Sequence, residues 1–210
     1  MRNSKCKIPI LTCLLSILAI LAYMFPASVD TFAFIPSLVS EGQWYRILTG
    51  QLVHLSFDHF IWDTSTFLIL GIMVERRWRD AFLVCLTSCL VLIPWVVNLF
   101  DPGLFYYAGL SGIDCALFAL LATAAVRTGW AEFSVLRKGC AILLFAALVS
   151  KLSYEALTGM TLFVSPDQGF EVVPIAHLAG ALIGTASAFV SSHWVLPRRS
   201  ELKPSLFFQS

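Results

Sequence analysis

Apolar residues gather in six long runs separated by short polar stretches: Ile8 to Phe25, Phe57 to Val74, Ala81 to Phe100, Ser111 to Val126, Gly139 to Leu157 and Val173 to Val195. Most of these runs approach the ~20 residues an α-helix needs to cross the hydrocarbon of a bilayer. The pattern predicts an all-α polytopic membrane protein, a six-transmembrane-helix bundle that takes residues 1–210 as one domain. No soluble domain, internal repeat or low-complexity segment interrupts it. The first run follows Arg2, Lys5 and Lys7, as the core of a secretory signal would, but no small-residue cleavage site follows, so a retained anchor is expected.

The basic residues test this arrangement independently, because cytoplasmic loops collect Lys and Arg. If the six runs cross alternately, the head, the second loop, the fourth loop and the tail share one side. Those segments hold Arg2, Lys5, Lys7, Arg76, Arg77, Arg79, Arg127, Arg137, Lys138, Arg198, Arg199 and Lys203. Only Arg46 and Lys151, of 14 basic residues, fall elsewhere. Both termini are therefore expected in the cytoplasm. On the opposite side the long first loop, Pro26 to Ser56, carries Phe32, Phe34, Trp44 and Tyr45 and is expected to lie in the membrane interface.

Composition agrees: 58% of residues are hydrophobic and 13% charged, too little polar surface to coat a soluble globule of this size. The net charge of +1 gives no reason to expect a nucleic-acid partner. The six cysteines lie in apolar runs or in the basic head and are read as free thiols. Cys85 and Cys89 share a helix face, which indicates packing.

Candidate chemistry follows from the topology. The second, fourth and sixth runs share a direction, so their N-terminal ends share a depth. His59 and Asp63, Ser111 within Gly109-Leu110-Ser111-Gly112, and His177 within Ala176-His177-Leu178-Ala179-Gly180 all sit there. Ionisable groups inside a bilayer are costly and mark function. The fourth run is also short, 16 residues reaching about 24 Å against a core of about 30 Å, so one of its ends is expected to be sunk; if that is the serine end, the backbone around Gly109 lines a water-accessible cavity. A serine needs a base, and His177 is the candidate. Gly180 and Gly184 form a G-x-x-x-G face that lets the sixth helix approach closely. No acid follows at a spacing that orients the imidazole, and the pair reads as a dyad. His193 is read as interfacial, and Glu75 as tying the second helix to nearby basic groups.

Trp44 and Arg46, His54-x4-His59-x3-Asp63, Gly71-x3-Glu75, Gly109-Leu110-Ser111-Gly112 and Ala176-His177-x2-Gly180-x3-Gly184 resemble, in order and spacing, the pattern of rhomboid intramembrane serine proteases. The resemblance implies Ser111 as nucleophile, His177 as base, and an oxyanion site from the Ser111 backbone N–H with His59 and Asp63. His54, Trp44 and Arg46 take structural places, and no cofactor or metal is implied. Asp63 stands where many relatives carry Asn, which donates to the oxyanion. Either Asp63 is protonated, or His59 and the backbone supply the donors. Cys115 replaces a tyrosine that packs on the histidine, and Asp114 is the candidate to compensate. Asp in the Asn position, in a short chain, resembles the rhombosortase branch. That branch implies a bacterial inner-membrane enzyme whose site faces the periplasm. Its substrates are single-pass proteins bearing a C-terminal Gly-Gly motif, a transmembrane helix and a basic tail.

Two other readings stay open. A metal-dependent membrane hydrolase would use His59, Asp63 and His177, but no His-x3-His pair occurs, and His54 and His59 would lie about 140° apart around a helix. A non-catalytic rhomboid-like binding factor would not need both Ser111 and His177.

Overall fold

The computed structural model describes residues 8–131, 135–161 and 172–190. Nine α-helices are named among them: α1 (Ile10–Met24), α2 (Ser28–Phe32), α3 (Pro36–Ser40), α4 (Arg46–Thr49), α5 (Phe57–Arg77), α6 (Arg79–Phe100), α7 (Ser111–Ala131), α8 (Val135–Thr158) and α9 (Pro174–Ser187). A 3-10 turn, Gly50–Leu52, follows α4. Three helical segments are long and apolar enough to cross a membrane, Phe57–Arg77, Arg79–Phe100 and Lys138–Thr158, with α1 a shorter apolar helix. Residues 191–195 of the expected sixth span lie outside the described residues, as do Cys6, His193 and the basic residues of head and tail.

Local chemistry explains the ends of α5. The side chain of Ser56 accepts the backbone N–H of His59 at 3.2 Å, Asp58 stands in the first turn, and Arg76 and Arg77 stand in the last. Each complements the helix dipole. These arginines correct the expected boundaries: α5 and α6 run through Arg76, Arg77 and Arg79 and leave only Trp78 between them. The fourth helix is corrected too. At 21 residues α7 extends about 31 Å, so its length does not require either end to be sunk.

Helix α7 is the hub, packed against α5, α6, α8 and α9. Its Ile113, Ala116, Leu117 and Leu120 are wholly buried. A helix wrapped by other helices has apolar or small residues on every side. The approach of α9 is closest. A Cβ on Gly180 would run into the carbonyl of Gly112, and one on Gly184 into the carbonyl of Ala116. Backbone therefore lies on backbone, which only glycine permits. The outer faces stay apolar, with Ile10, Leu14, Ile17 and Leu21 of α1 and Ile142, Leu143 and Val149 of α8 exposed. Such faces suit lipid rather than water.

Glu75 differs from its expected role. Fully buried, its carboxylate accepts the backbone N–H groups of Leu11 at 3.2 Å and Thr12 at 2.9 Å, and the Thr12 hydroxyl at 2.8 Å. The first-turn amides of α1 have no intrahelical acceptors, and a carboxylate at that positive end of the helix satisfies two of them. Gly71 makes room: a Cβ there would lie 2.6 Å from Thr12 Cγ2.

The first loop is folded around Arg46. Its Nη1 donates to the Ala33 carbonyl, its Nη2 to the Asp30 carbonyl, both at 2.8 Å, and its Nε to Gln43 Oε1 at 2.7 Å. Trp44 is 62% exposed and leaves the bracing to Arg46. An isolated antiparallel bridge joins Phe34 to Tyr107, and the Gly109 N–H donates to the Gly50 carbonyl at 3.2 Å. The loop thereby holds the segment that leads into Ser111.

Candidate active site

Ser111 opens α7 two residues after a glycine in the left-handed region, Gly109 at φ +113°. A Cβ at Gly109 would lie 2.5 Å from His59 Nε2 and 3.0 Å from Asp63 Oδ2. Both the backbone conformation and the contact therefore demand glycine. Gly112 is similarly tight: a Cβ there would stand 3.0 Å from the Tyr107 hydroxyl and 3.3 Å from the Ala176 carbonyl.

Packing of α7 on α9 brings His177 Nε2 within 2.8 Å of Ser111 Oγ. His177 is 4% exposed. On the far side of the ring, Nδ1 is 2.8 Å from Glu155 Oε2 on α8. Lys151, one turn before Glu155, donates to Oε1 at 2.7 Å and to Oε2 at 2.9 Å, and its Nζ is 3.4 Å from Nδ1. Spacing along the sequence supplies no acid for the imidazole, with Asp114 the candidate to compensate; the acid on Nδ1 is Glu155. It was missed because it lies on another helix. A signal was present, since Lys151 and Glu155 stand at i and i+4 within an apolar run, where two charges are tolerated only as a pair. Asp114 and Cys115 are both buried and border the same cavity, with Asp114 Oδ1 lacking a protein partner among the described residues.

A second polar cluster occupies the α5 side of Ser111. Asp63 Oδ2 accepts the Ser111 backbone N–H at 3.1 Å and stands 3.0 Å from His59 Nε2 and 3.5 Å from His54 Nε2. Toward Ser111, Asp63 is an acceptor, not the donor the resemblance suggested for its position. His54 precedes α5, and its ring meets that of His59 edge-on, centroids 5.0 Å apart. Burial holds the His54 imidazole below its ordinary pKa, outweighing the opposite pull of Asp63. Burial, reinforced by Asp63, pushes the Tyr107 phenol up. His54, His59 and Asp63 place one ligand atom each within 4.8 Å of one another. The 140° separation expected for the two histidines fails because His54 is not on the helix. Three N and O donors suit zinc, and Asp63 Oδ2 in the same cluster also accepts the Ser111 amide N–H.

Both clusters border one cavity of about 400 Å³. Its remaining wall is mostly apolar, with Trp62, Thr66 and Leu70 from α5, Phe118 from α7, and Ala147 and Leu148 from α8. A nucleophile hydrogen-bonded to an imidazole, backed by a carboxylate and facing a largely apolar chamber, can perform acyl transfer on a hydrophobic substrate.

The free cysteines among the described residues are Cys13, Cys85, Cys89, Cys115 and Cys140, in keeping with thiols that do not pair. The chain is similar to the rhomboid protease GlpG of Haemophilus influenzae, 28% identical over 154 residues that span 72% of each chain. A rhomboid domain matches residues 41–194, and with the helices and spacing described above this integral membrane protein belongs to the rhomboid family.

Proposed function

We propose that the protein is an intramembrane serine protease in which Ser111 is the nucleophile and His177 the base. The observation that carries this reading is the 2.8 Å contact between Ser111 Oγ and His177 Nε2 at the wall of an apolar cavity. A locally unwound substrate segment enters between α5 and α8. Ser111 Oγ bonds to the substrate carbonyl carbon while His177 Nε2 takes the hydroxyl proton. Collapse of the tetrahedral intermediate breaks the C–N bond, and the imidazolium returns the proton to the leaving amine. Water, deprotonated by His177, then cleaves the acyl ester. Negative charge on the intermediate's oxygen is held by the Ser111 N–H, once Asp63 gives it up, and by His59. Each such donor contributes about 3 kcal/mol in soluble proteases.

The substrate class follows from the rhombosortase resemblance at Asp63: single-pass proteins with a C-terminal Gly-Gly motif, a membrane helix and a basic tail. The distribution of Lys and Arg supports both termini in the cytoplasm, and the rhombosortase resemblance supports a periplasm-facing site in a bacterial inner membrane. A reporter with this tail should be cut, and one with the Gly-Gly pair replaced by Leu-Leu should be spared; equal cutting of both would remove that substrate class.

Labelling by a fluorophosphonate on detergent-purified protein tests the central reading without a known substrate. The adduct should map to Ser111 and vanish in Ser111→Ala and His177→Ala. No adduct, beside a rhomboid control that labels, would move the weight to a non-catalytic binding factor. The metal-dependent reading expected His177 beside His59 and Asp63; His177 instead lies on Ser111 and Glu155, and His54 completes the cluster, so loss of proteolysis on chelation would favour a metal held by His54, His59 and Asp63.

A further inference from the structure

We propose that Glu155 and Lys151 are positioning residues of the hydrolytic site, Glu155 acting through His177 and Lys151 through Glu155. The proposal rests on Ser111 and His177 acting as above. It adds a carboxylate on a third helix and a counter-ion whose effect on the base is opposite in sign.

Hydrogen-bond accounting fixes the first part. For His177 Nε2 to accept the Ser111 hydroxyl, the neutral ring must carry its proton on Nδ1. That proton needs an acceptor, and Glu155 Oε2 lies 2.8 Å away. Lys151 offers only donors, so its 3.4 Å approach to Nδ1 cannot serve that proton. Glu155 therefore selects the tautomer in which Ser111 can be deprotonated and holds the ring plane toward it. Its side chain is 1% exposed, so water cannot replace it in either task.

Charge accounting fixes the second part. A carboxylate buried to this degree requires a partner, and Lys151, with 26% of its side chain exposed to the cavity, binds both oxygens. When His177 takes the serine proton, the imidazolium finds Glu155 at 2.8 Å and the ammonium at 3.4 Å. Glu155 favours the imidazolium and Lys151 opposes it. Removing the two groups should thus move the acid limb of the pH profile in opposite directions.

The experiment is the rate of fluorophosphonate labelling at Ser111 from about pH 5 to about pH 9, the span in which imidazole titrates. Asp114 and Cys115 on α7 and His59 and Asp63 on α5 also border the cavity, and they are common to every variant measured. Glu155→Gln, nearly isosteric, should label at least about tenfold more slowly at neutral pH, the equivalent loss reaching about 10⁴ in a soluble serine protease. Its acid limb should move to lower pH, because the imidazolium has lost its anion. Lys151→Met should move the limb to higher pH, and Lys151→Arg, which keeps the charge, should leave it in place. A packing role alone would slow both variants without separating their limbs. Profiles of Glu155→Gln and Lys151→Met that superimpose on the wild type, or shift together, overturn the proposal while a labelled Ser111 keeps the protease reading. A wild type that does not label removes both.

Discussion

Ser111 stands between two clusters built from the same parts, histidine and carboxylate, yet facing different atoms of the serine. On the α8 and α9 side, His177 reaches the hydroxyl, and Glu155 lies behind the ring. On the α5 side, the carboxylate comes first: Asp63 accepts the backbone N–H, and His59 and His54 lie behind it. The order of the parts decides the chemistry. An imidazole against a hydroxyl can take its proton. A carboxylate against an amide occupies a donor, so in the proposed mechanism the first cluster drives the reaction and the second holds the amide that the oxyanion would need.

The largest test of that division is to delete the ring from each cluster. His177→Ala should lower turnover by about 10⁴ or more, because among the described residues His177 is the base hydrogen-bonded to Ser111 Oγ. His59→Ala should lower it by about a hundredfold, the loss of one oxyanion donor, with the fold retained. Equal losses measured on one substrate would break the distinction, and full activity of His59→Ala would remove its role.

A smaller effect is expected at Asp63. An amide oxygen can still accept the Ser111 N–H, and the added NH₂ can donate to an oxyanion, so Asp63→Asn should keep activity within about tenfold, the scale of one charged hydrogen bond. A fall beyond about a hundredfold would mean that the negative charge itself is required.

The smallest effect concerns stability. Burial depresses the folded-state pKa of His54 below its ordinary 6.5. The unfolded chain then binds the proton more readily, so the His54 contribution is intact above about pH 6.5 and is lost as pH falls toward the depressed folded value. The thermal midpoint of the wild type should decline over that window, and His54→Gln, which takes up no proton, should decline less. Parallel curves would show that His54 does not carry the titration.

Legibility divides along similar lines. Ser111, His177, His59 and Asp63 could be found in the sequence because each interrupts an apolar run at one predicted depth. Arg46 stood out as a basic residue on the side poor in them. Boundaries were less legible: arginines read as loop belong to α5 and α6, since a basic last turn suits a helix as well as a loop. Glu75 looked like a partner for arginines and serves the amides of α1, whose need for acceptors leaves no mark in side-chain identity. His54 was set apart from His59 by a helical angle that does not apply to a residue before the helix.

The sequence by itself determined the class of protein, its order of apolar segments, the nucleophile and base candidates, and the glycines that thin α9, because each is written as polarity or size along one helix. Tertiary structure alone decided that Lys151 and Glu155 meet His177, and that Asp63 accepts the serine amide. These contacts join α5, α7, α8 and α9, and their geometry is set by how closely α9 lies on the backbone of α7 at Gly180 and Gly184. Distances between helices depend on packing in three dimensions, which no spacing within a single run encodes.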